Sequence, residues 1–300
     1  MSKLTIVGLG EVLWDVFPTH KQLGGAPANF AYISSLLGEE GVVASRIGDD
    51  ELGAEVESRL KNLGLDTSHL QRCTMHPTGT VKVQLGSDGQ PRFEITKSVA
   101  WDFIEWTPEL KALAARADAV CFGSLAQREP ASRATIQQFL RATRQGSVRV
   151  FDVNLRQAFY SPDVLEASAK SATILKLNHE EVPLVMRALH APELAERGAA
   201  EWMCERFGLK LVCITRGGAG SMLVSPSGHH EHAGYLVQVA DTVGAGDAFT
   251  ATMVHHYLRG SDLATMNDAA NRMGAWVASK SGATPPIEEA EIAQLRARGQ

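Results

Sequence analysis

Seven residues near the C-terminal end, Asp241-Thr-Val-Gly-Ala-Gly-Asp247, run directly into a helical pattern spanning Ala248 to Leu258. The first N–H groups of a helix have no partner inside it and the helix dipole is positive there. Gly244, Ala245 and Gly246 therefore offer main-chain donors to an anion with no bulky side chain in the way. A phosphoryl group suits such a hole. Asp247, in the first turn beside it, can take the proton of a hydroxyl as that hydroxyl attacks phosphorus. Read alone, the segment serves equally well as a Gly-rich turn with an Asp cap.

Another glycine pair, in Gly24-Gly25-Ala-Pro-Ala-Asn29, opens a second helix. Its glycines permit a ligand to approach the backbone, and Asn29 offers both a donor and an acceptor, the combination a polyhydroxy ligand needs. Asp15, on a preceding extended run, can accept two hydroxyl hydrogens through its carboxylate. Taken by itself, Asp15 reads as a solvated strand residue.

The elements that must hold these groups alternate along the chain. Leu4–Val7, Val42–Arg46, Asp118–Phe122, Val148–Val153, Thr173–Leu177 and Leu211–Thr215 read as strands, with helices between them such as Ala26–Leu37 and Asp50–Leu63. This predicts an α/β fold whose mostly parallel sheet is covered on both faces, with ligands at the carboxyl ends of the strands. Two stretches break the pattern. Val12–Val16 continues as an extended run, and Thr80–Leu85, Asp88-Gly89 and Arg92–Ile95 read as a hairpin. Residues of about 11–22 and 76–100 are expected to form a small β-sheet, either a lid over the site or ordinary edge hairpins.

At 300 residues with 44% hydrophobic content, the chain suffices for one large domain, 1–300, carrying that insertion. Its formal charge of -5 provides no basic field for nucleic acid. The dispersed cysteines Cys73, Cys121, Cys204 and Cys213 suggest neither a zinc site nor a disulfide framework, and no apolar run reaches the ~18 residues of a membrane helix. A cytoplasmic protein is expected. His229-His230-x-His232, flanked by Ser, Gly and Pro, reads as an exposed hairpin rather than a metal cluster.

Both glycine segments resemble the two signature segments of the ribokinase-like (PfkB) family of sugar kinases, and they stand in the family order. Asn178-His-Glu-Glu181 is similar to that family's Asn-x-x-Glu motif, and Thr215-Arg-Gly-Gly-Ala-Gly220 to its nucleotide loop. The resemblance implies a three-layer α/β/α fold with about eight or nine strands and a β lid. It makes Asp247 the base and the amides of Gly244, Ala245 and Gly246 the phosphoryl hole. Asn178 and Glu181 become organisers of Mg2+ through water, the alternative for the pair being a helix cap with a first-turn acid. Thr215, Gly217, Gly218 and Gly220 would lie along ATP, with Asn271 on its adenine side. Asp241, the backbone oxygen of Val243 and the loop 279–282 would surround a K+ ion.

The Ala26-Pro27 form of the substrate loop looks like fructokinases, where ribokinases typically carry Lys-Gly. Gly123-Ser-Leu-Ala-Gln-Arg128 and Asp152-Val-Asn-Leu-Arg156 resemble the same branch. The resemblance therefore adds Gln127, Asn154 and Arg156 as sugar contacts, with Phe93 and Trp101 as apolar covers or plain core. A 2-keto-3-deoxygluconate kinase is the nearest competitor, and its substrate's carboxylate would need Arg156, Arg128 or Arg92. A non-catalytic sugar sensor on the same scaffold stands as the alternative from another class. Gly8-Leu-Gly-Glu-Val-Leu13 fails as a dinucleotide fingerprint, because Leu13 replaces the third glycine and Glu11 puts negative charge where pyrophosphate should approach. A homodimer through an exposed strand edge of the lid is expected.

Overall fold

A computed structural model describes residues 3–85, 91–287 and 291 of the chain. Strands β1 (Thr5–Leu9), β2 (Leu13–Val16), β3 (Lys21–Gly24), β4 (Glu40–Gly48), β5 (Leu70–Cys73), β6 (Gly79–Leu85) and β7 (Pro91–Ile95) fill the first third. After them come β8 (Ala119–Phe122), β9 (Val148–Asp152), β10 (Ile174–Asn178), β11 (Leu211–Thr215), β12 (Ser221–Ser225) and β13 (Gly228–His232). Helices α1 (Ala26–Leu36), α2 (Glu51–Asn62), α3 (Pro108–Arg116), α4 (Pro130–Ala142), α5 (Pro162–Ser171), α6 (Glu181–Ala188), α7 (Glu196–Phe207), α8 (Ala245–Leu258) and α9 (Leu263–Ala278) connect and follow them.

The large sheet has nine strands in the order β13-β12-β11-β10-β9-β8-β1-β4-β5, and every pairing from β11 to β5 is parallel. Its inner strands, β1, β4 and β8 to β12, are buried on both faces, as placement between two helical layers requires, while the edge strands β5 and β13 are largely polar. Successive residues point to opposite faces. Val7, Val120, Phe151, Leu175 and Val212 accordingly pack with Leu113, Phe139, Leu165, Val185 and Met203 of α3 to α7. Ile6, Val43, Cys121, Val150 and Ile174 pack instead with Phe30, Val56, Met253 and Met273 of α1, α2, α8 and α9. The result is three layers, α/β/α. Each large side chain so buried stabilises the fold by about 1.5–3 kcal/mol relative to leaving it in water.

Four strands form a separate small sheet in the order β3-β2-β6-β7, with β2 antiparallel to β3 and parallel to β6, and β6 antiparallel to β7. Buried polar contacts root it on the main body. Asp50 caps α2 by accepting from the N–H of Gly53 at 2.7 Å, and it also accepts from the N–H and hydroxyl of Thr78 at 2.8 and 2.6 Å, just before β6. At the other root, Arg128 donates through Nε and Nη2 to the two oxygens of Asp102, both at 2.7 Å, and to the carbonyl of Thr96 at 2.6 Å. Its guanidinium lies 4.1 Å from the ring centre of Trp101.

That arrangement corrects two expectations. Arg128 is buried and holds Asp102 through Nε and Nη2, so it is placed as a root of the small sheet rather than as a free cation for a sugar carboxylate, although its buried Nη1 has no partner among the described residues. Trp101 is fully buried in the core beneath it and covers no ligand. The expected turn Asp88-Gly89 lies outside the described residues, as do the side chains of Arg92 and Phe93. The His229-to-His232 stretch forms strand β13 of an edge hairpin with β12. All four cysteines are buried free thiols, and no described helix is long and apolar enough to cross a membrane.

Candidate active site

The residues singled out by the sequence gather where the parallel strands end. β1 leads into Gly10 and Glu11, β8 into Gly123, β9 into Asp152 and Asn154, β10 into Asn178, and β11 into Thr215. Ligands of open parallel sheets bind beyond these carboxyl ends.

Helix α8 starts at Ala245, three residues earlier than its sequence pattern predicts, because Gly244 adopts φ 78° and turns the chain into it as N-cap. A Cβ on Gly244 would lie 2.6 Å from that of Ala283, so only glycine fits without displacing the later loop. Asp247 is thereby the third residue of the helix. The N–H of Ala245 donates to the carbonyl of Thr242 at 3.3 Å, so this amide is partly used within the turn.

Asn29, buried in the first turn of α1, donates from Nδ2 to Oδ2 of Asp247 at 2.8 Å across 218 residues of sequence. The two glycine segments therefore share one site. Burial and the charge of Asp152 push the Asp247 carboxyl up to about 6, against the Asn29 bond and the charges of Lys176 and Arg156. Asp15 is likewise pushed up to about 6 by burial, opposed by Arg156. Gly25 has φ 113°, and a Cβ there would lie 2.5 Å from the carbonyl oxygen of Glu11, which is how closely the substrate-type loop runs against the end of β1.

Beneath the start of α8 sits a buried ion pair. Lys176 Nζ is 3.1 Å from Oδ1 of Asp152, whose Oδ2 accepts from the Thr250 hydroxyl at 3.3 Å. Burial works against the ammonium charge, but Asp152, Glu181 and Asp247 outweigh it and hold Lys176 above its ordinary range. A Cβ on Gly246 would come 3.3 Å from this Nζ, so the positive charge lies directly under the first turn. Glu11, Cys121, Asp152, Asn154, Asp247 and Thr250 all line one cavity here.

Asn178 and Glu181 form a reciprocal cap. Asn178 Oδ1 accepts from the N–H of Glu181 at 2.9 Å, and Glu181 Oε2 accepts from that of Asn178 at 2.8 Å. Glu181 Oε1 also accepts from the N–H of Leu155 at 2.6 Å, which braces the loop bearing Asn154 and Arg156. With both oxygens held by amides, Glu181 suits Mg2+ through water rather than by direct ligation. Asn154 adopts φ 41°, and Arg156 is exposed yet close enough for its charge to oppose, without cancelling, the upward push that burial gives Glu11, Asp15 and Asp247.

Thr215 ends β11, and the following Gly217–Ala219 turn exposes Gly217 and Gly218. Gly220 closes it with φ 83°, where a Cβ would lie 1.9 Å from the His232 carbonyl oxygen. Asp241 accepts from the N–H groups of Val243 at 3.0 Å and Gly282 at 3.1 Å, joining the two loops expected around a cation. Both donors are neutral amides, so the charge of Asp241 has no cationic side chain paired with it among the described residues.

Two called residues are placed otherwise. Gln127 is 1% exposed and internally bonded: Nε2 donates to the carbonyl of Gly123 and to Ser168, both at 2.9 Å, while Oε1 accepts from Gln137 at 3.2 Å. It braces the turn after β8 and faces no ligand. Asn271 Nδ2 is taken by Ser221 at 2.8 Å and by Asn267, which fastens α9 to β12.

Lys176 was not legible as a site residue from the motifs, although a signal existed: it interrupts the otherwise apolar run Ile174–Leu177, and a lysine there must have a buried partner. Glu11 was visible only as a charge unsuited to pyrophosphate.

A glycine loop after β11, a helix start capped by Gly244 and a sheltered carboxylate at the carboxyl ends of the strands are what phosphoryl transfer requires. The sequence matches the pfkB family of carbohydrate kinases over residues 5–290. The chain belongs to that family and is a sugar kinase. Fructokinase-1 of Zea mays is 28% identical over 320 residues, covering 97% of each chain. An uncharacterized sugar kinase from Pyrococcus horikoshii superposes with a TM-score of 0.83 at 28% identity, over 99% of this chain and 100% of that one. A fructokinase from Xylella fastidiosa, solved with bound ATP, gives 0.86 at 21% identity over 99% of each, which is a likeness of fold.

Proposed function

We propose that this kinase transfers the γ-phosphoryl group of ATP to a hydroxyl of a small sugar, fructose first, with Asp247 as general base. The observation that carries the reading is the Asn29–Asp247 bond, which brings a sugar-type loop against a carboxylate at a helix start. A carboxyl lifted to about 6 is still mostly ionised at neutral pH and is a stronger base than an ordinary aspartate. As the sugar oxygen attacks phosphorus, Asp247 takes its proton. The amides at the start of α8 and the ammonium of Lys176 offset the charge spreading over the phosphoryl oxygens.

Asp15, Gly24, Gly25, Asn29, Asn154 and Arg156 form the sugar side of this reading. Thr215, Gly217, Gly218 and Gly220 form the nucleotide side, with Asn178 and Glu181 holding the hydration shell of Mg2+, which would supply further neutralisation of phosphate charge. The small sheet is the lid, and its edge strands β3 and β7 are where a second subunit would pair. Fructose is favoured by Ala26-Pro27 and by the fructokinase relative from Zea mays.

Incubation with ATP, Mg2+ and a panel of fructose, ribose, tagatose and 2-keto-3-deoxygluconate, with identification of the phosphorylated product, tests this. Fructose turned over fastest is the expected result, and strong preference for the sugar acid overturns the choice. The bare charge of Asp241 further supports a K+ site, so replacing Na+ by K+ is expected to raise the rate. Equal rates in both salts remove the K+ assignment.

A further inference from the structure

Glu11 lies just past β1, where the chain leaves the large sheet for the small one. Its side chain is 4% exposed, and Oε2 is buried with no hydrogen-bond partner among the described residues. It lines the same cavity as Asp152, Asn154 and Asp247. Burial pushes the Glu11 carboxyl up to about 7, so it is only partly ionised near neutral pH, and in either form a buried oxygen without a hydrogen-bond partner is unfavourable.

The neighbours supply no partner. Asp152 and Asp247 carry no donor when ionised, Lys176 is paired with Asp152, and the Asn29 amide is given to Asp247. Arg156 acts on Glu11 through its charge, while its Nη1 donates to the carbonyl of Leu155 at 3.1 Å. The carbonyl of Glu11 is pressed under Gly25, and Val12 beside it is fully buried, so the residue has little room to swing out to solvent. In this geometry no described residue serves Oε2, and a partner arriving in the cavity would.

We propose that Glu11 is a specificity-determining contact to the acceptor, its Oε2 accepting a hydrogen bond from a sugar hydroxyl other than the one that attacks phosphorus. The assignment rests on the kinase reading above and extends it to a residue outside the recognised motifs. A site built to bond a hydroxyl rejects the analogue that lacks it.

The test is a cycle between residue and hydroxyl. Glu11→Ala and Glu11→Gln are assayed with whichever panel sugar is turned over fastest and with its monodeoxy analogues. Glu11→Ala is expected to lower kcat/KM for the parent sugar about 10- to 100-fold, mostly through KM. For one analogue the unaltered enzyme already shows that loss and the variant adds little to it. Glu11→Gln keeps an acceptor and recovers part of the loss. The same factor for every sugar, as a trapped water or a purely structural role would give, overturns the assignment, and so does the absence of any loss. Should Glu11→Ala fail to fold, Glu11→Met preserves length without the carboxyl and is read in the same way. No turnover of any sugar by the unaltered chain counts against the kinase reading itself and takes this assignment with it.

Discussion

Lys176 and Asp152 form a buried ion pair, Nζ to Oδ1 at 3.1 Å, and the ammonium lies under the first turn of the helix that carries Asp247. The pair has two separable consequences. Removing one partner leaves a buried charge, which typically costs about 3–5 kcal/mol. Lys176→Met is therefore expected to be strongly destabilised, and adding Asp152→Asn to recover much of the loss. Turnover should stay at least about 10-fold down in the double variant, because the positive charge beside the phosphoryl hole is still missing. Denaturant unfolding and steady-state rates on the same samples check this, and recovery of both together would show that Lys176 is only structural.

Gly244 and Gly246 differ in what a methyl group would meet. At Gly244 it would strike the backbone of Ala283 from a left-handed conformation, so Gly244→Ala should lose about 2 kcal/mol or more of stability. At Gly246 it would meet only the tip of Lys176 at 3.3 Å. Gly246→Ala should fold within about 1 kcal/mol of the parent, helped by the helix propensity of alanine, yet turn over more slowly because the methyl sits beside the anion hole. Equal effects of the two substitutions on stability would contradict the geometry.

Burial of Asp247 has a signature in pH. Its carboxyl titrates at about 6 when folded and near 3.8 when free, so between these values the folded chain binds more protons than the unfolded one. Stability due to this group therefore falls as pH rises from about 4 to about 6, and the cost is complete above that. Asp247→Asn removes it. The variant should be more stable than the parent at pH 8, on the order of 1–3 kcal/mol, with the difference shrinking toward pH 4. Unfolding curves at the two pH values decide the point, and a difference independent of pH would refute the burial account.

Much of this architecture was readable from local pattern. Helix α2 was expected over Asp50–Leu63 and spans Glu51–Asn62, because Asp50 is its cap and its apolar positions repeat at helical spacing. Strand β5, Leu70–Cys73, was not foreseen, since only Cys73 of its four residues is buried and its polar composition reads as loop. The start of α8 was placed late because Ala245 and Gly246 look like loop until Gly244 is seen to act as the cap. At the site, residues of the two glycine motifs converge through the Asn29–Asp247 bond, whereas Gln127 turns inward to Ser168, a difference that sequence order cannot express. Lys176 was missed because its role depends on Asp152 and on the start of α8, contacts that sequence spacing does not express.

The account stands on Asp247 as the proton acceptor, and the most direct measurement is the turnover of Asp247→Asn beside its binding of sugar and ATP. An amide keeps the size of the carboxyl and an acceptor for the Asn29 bond, but it cannot take a proton at neutral pH. Binding within a few-fold of the parent with kcat reduced about 10²- to 10⁴-fold is the expected result. A variant that turns over as fast as the unaltered chain would contradict the mechanism.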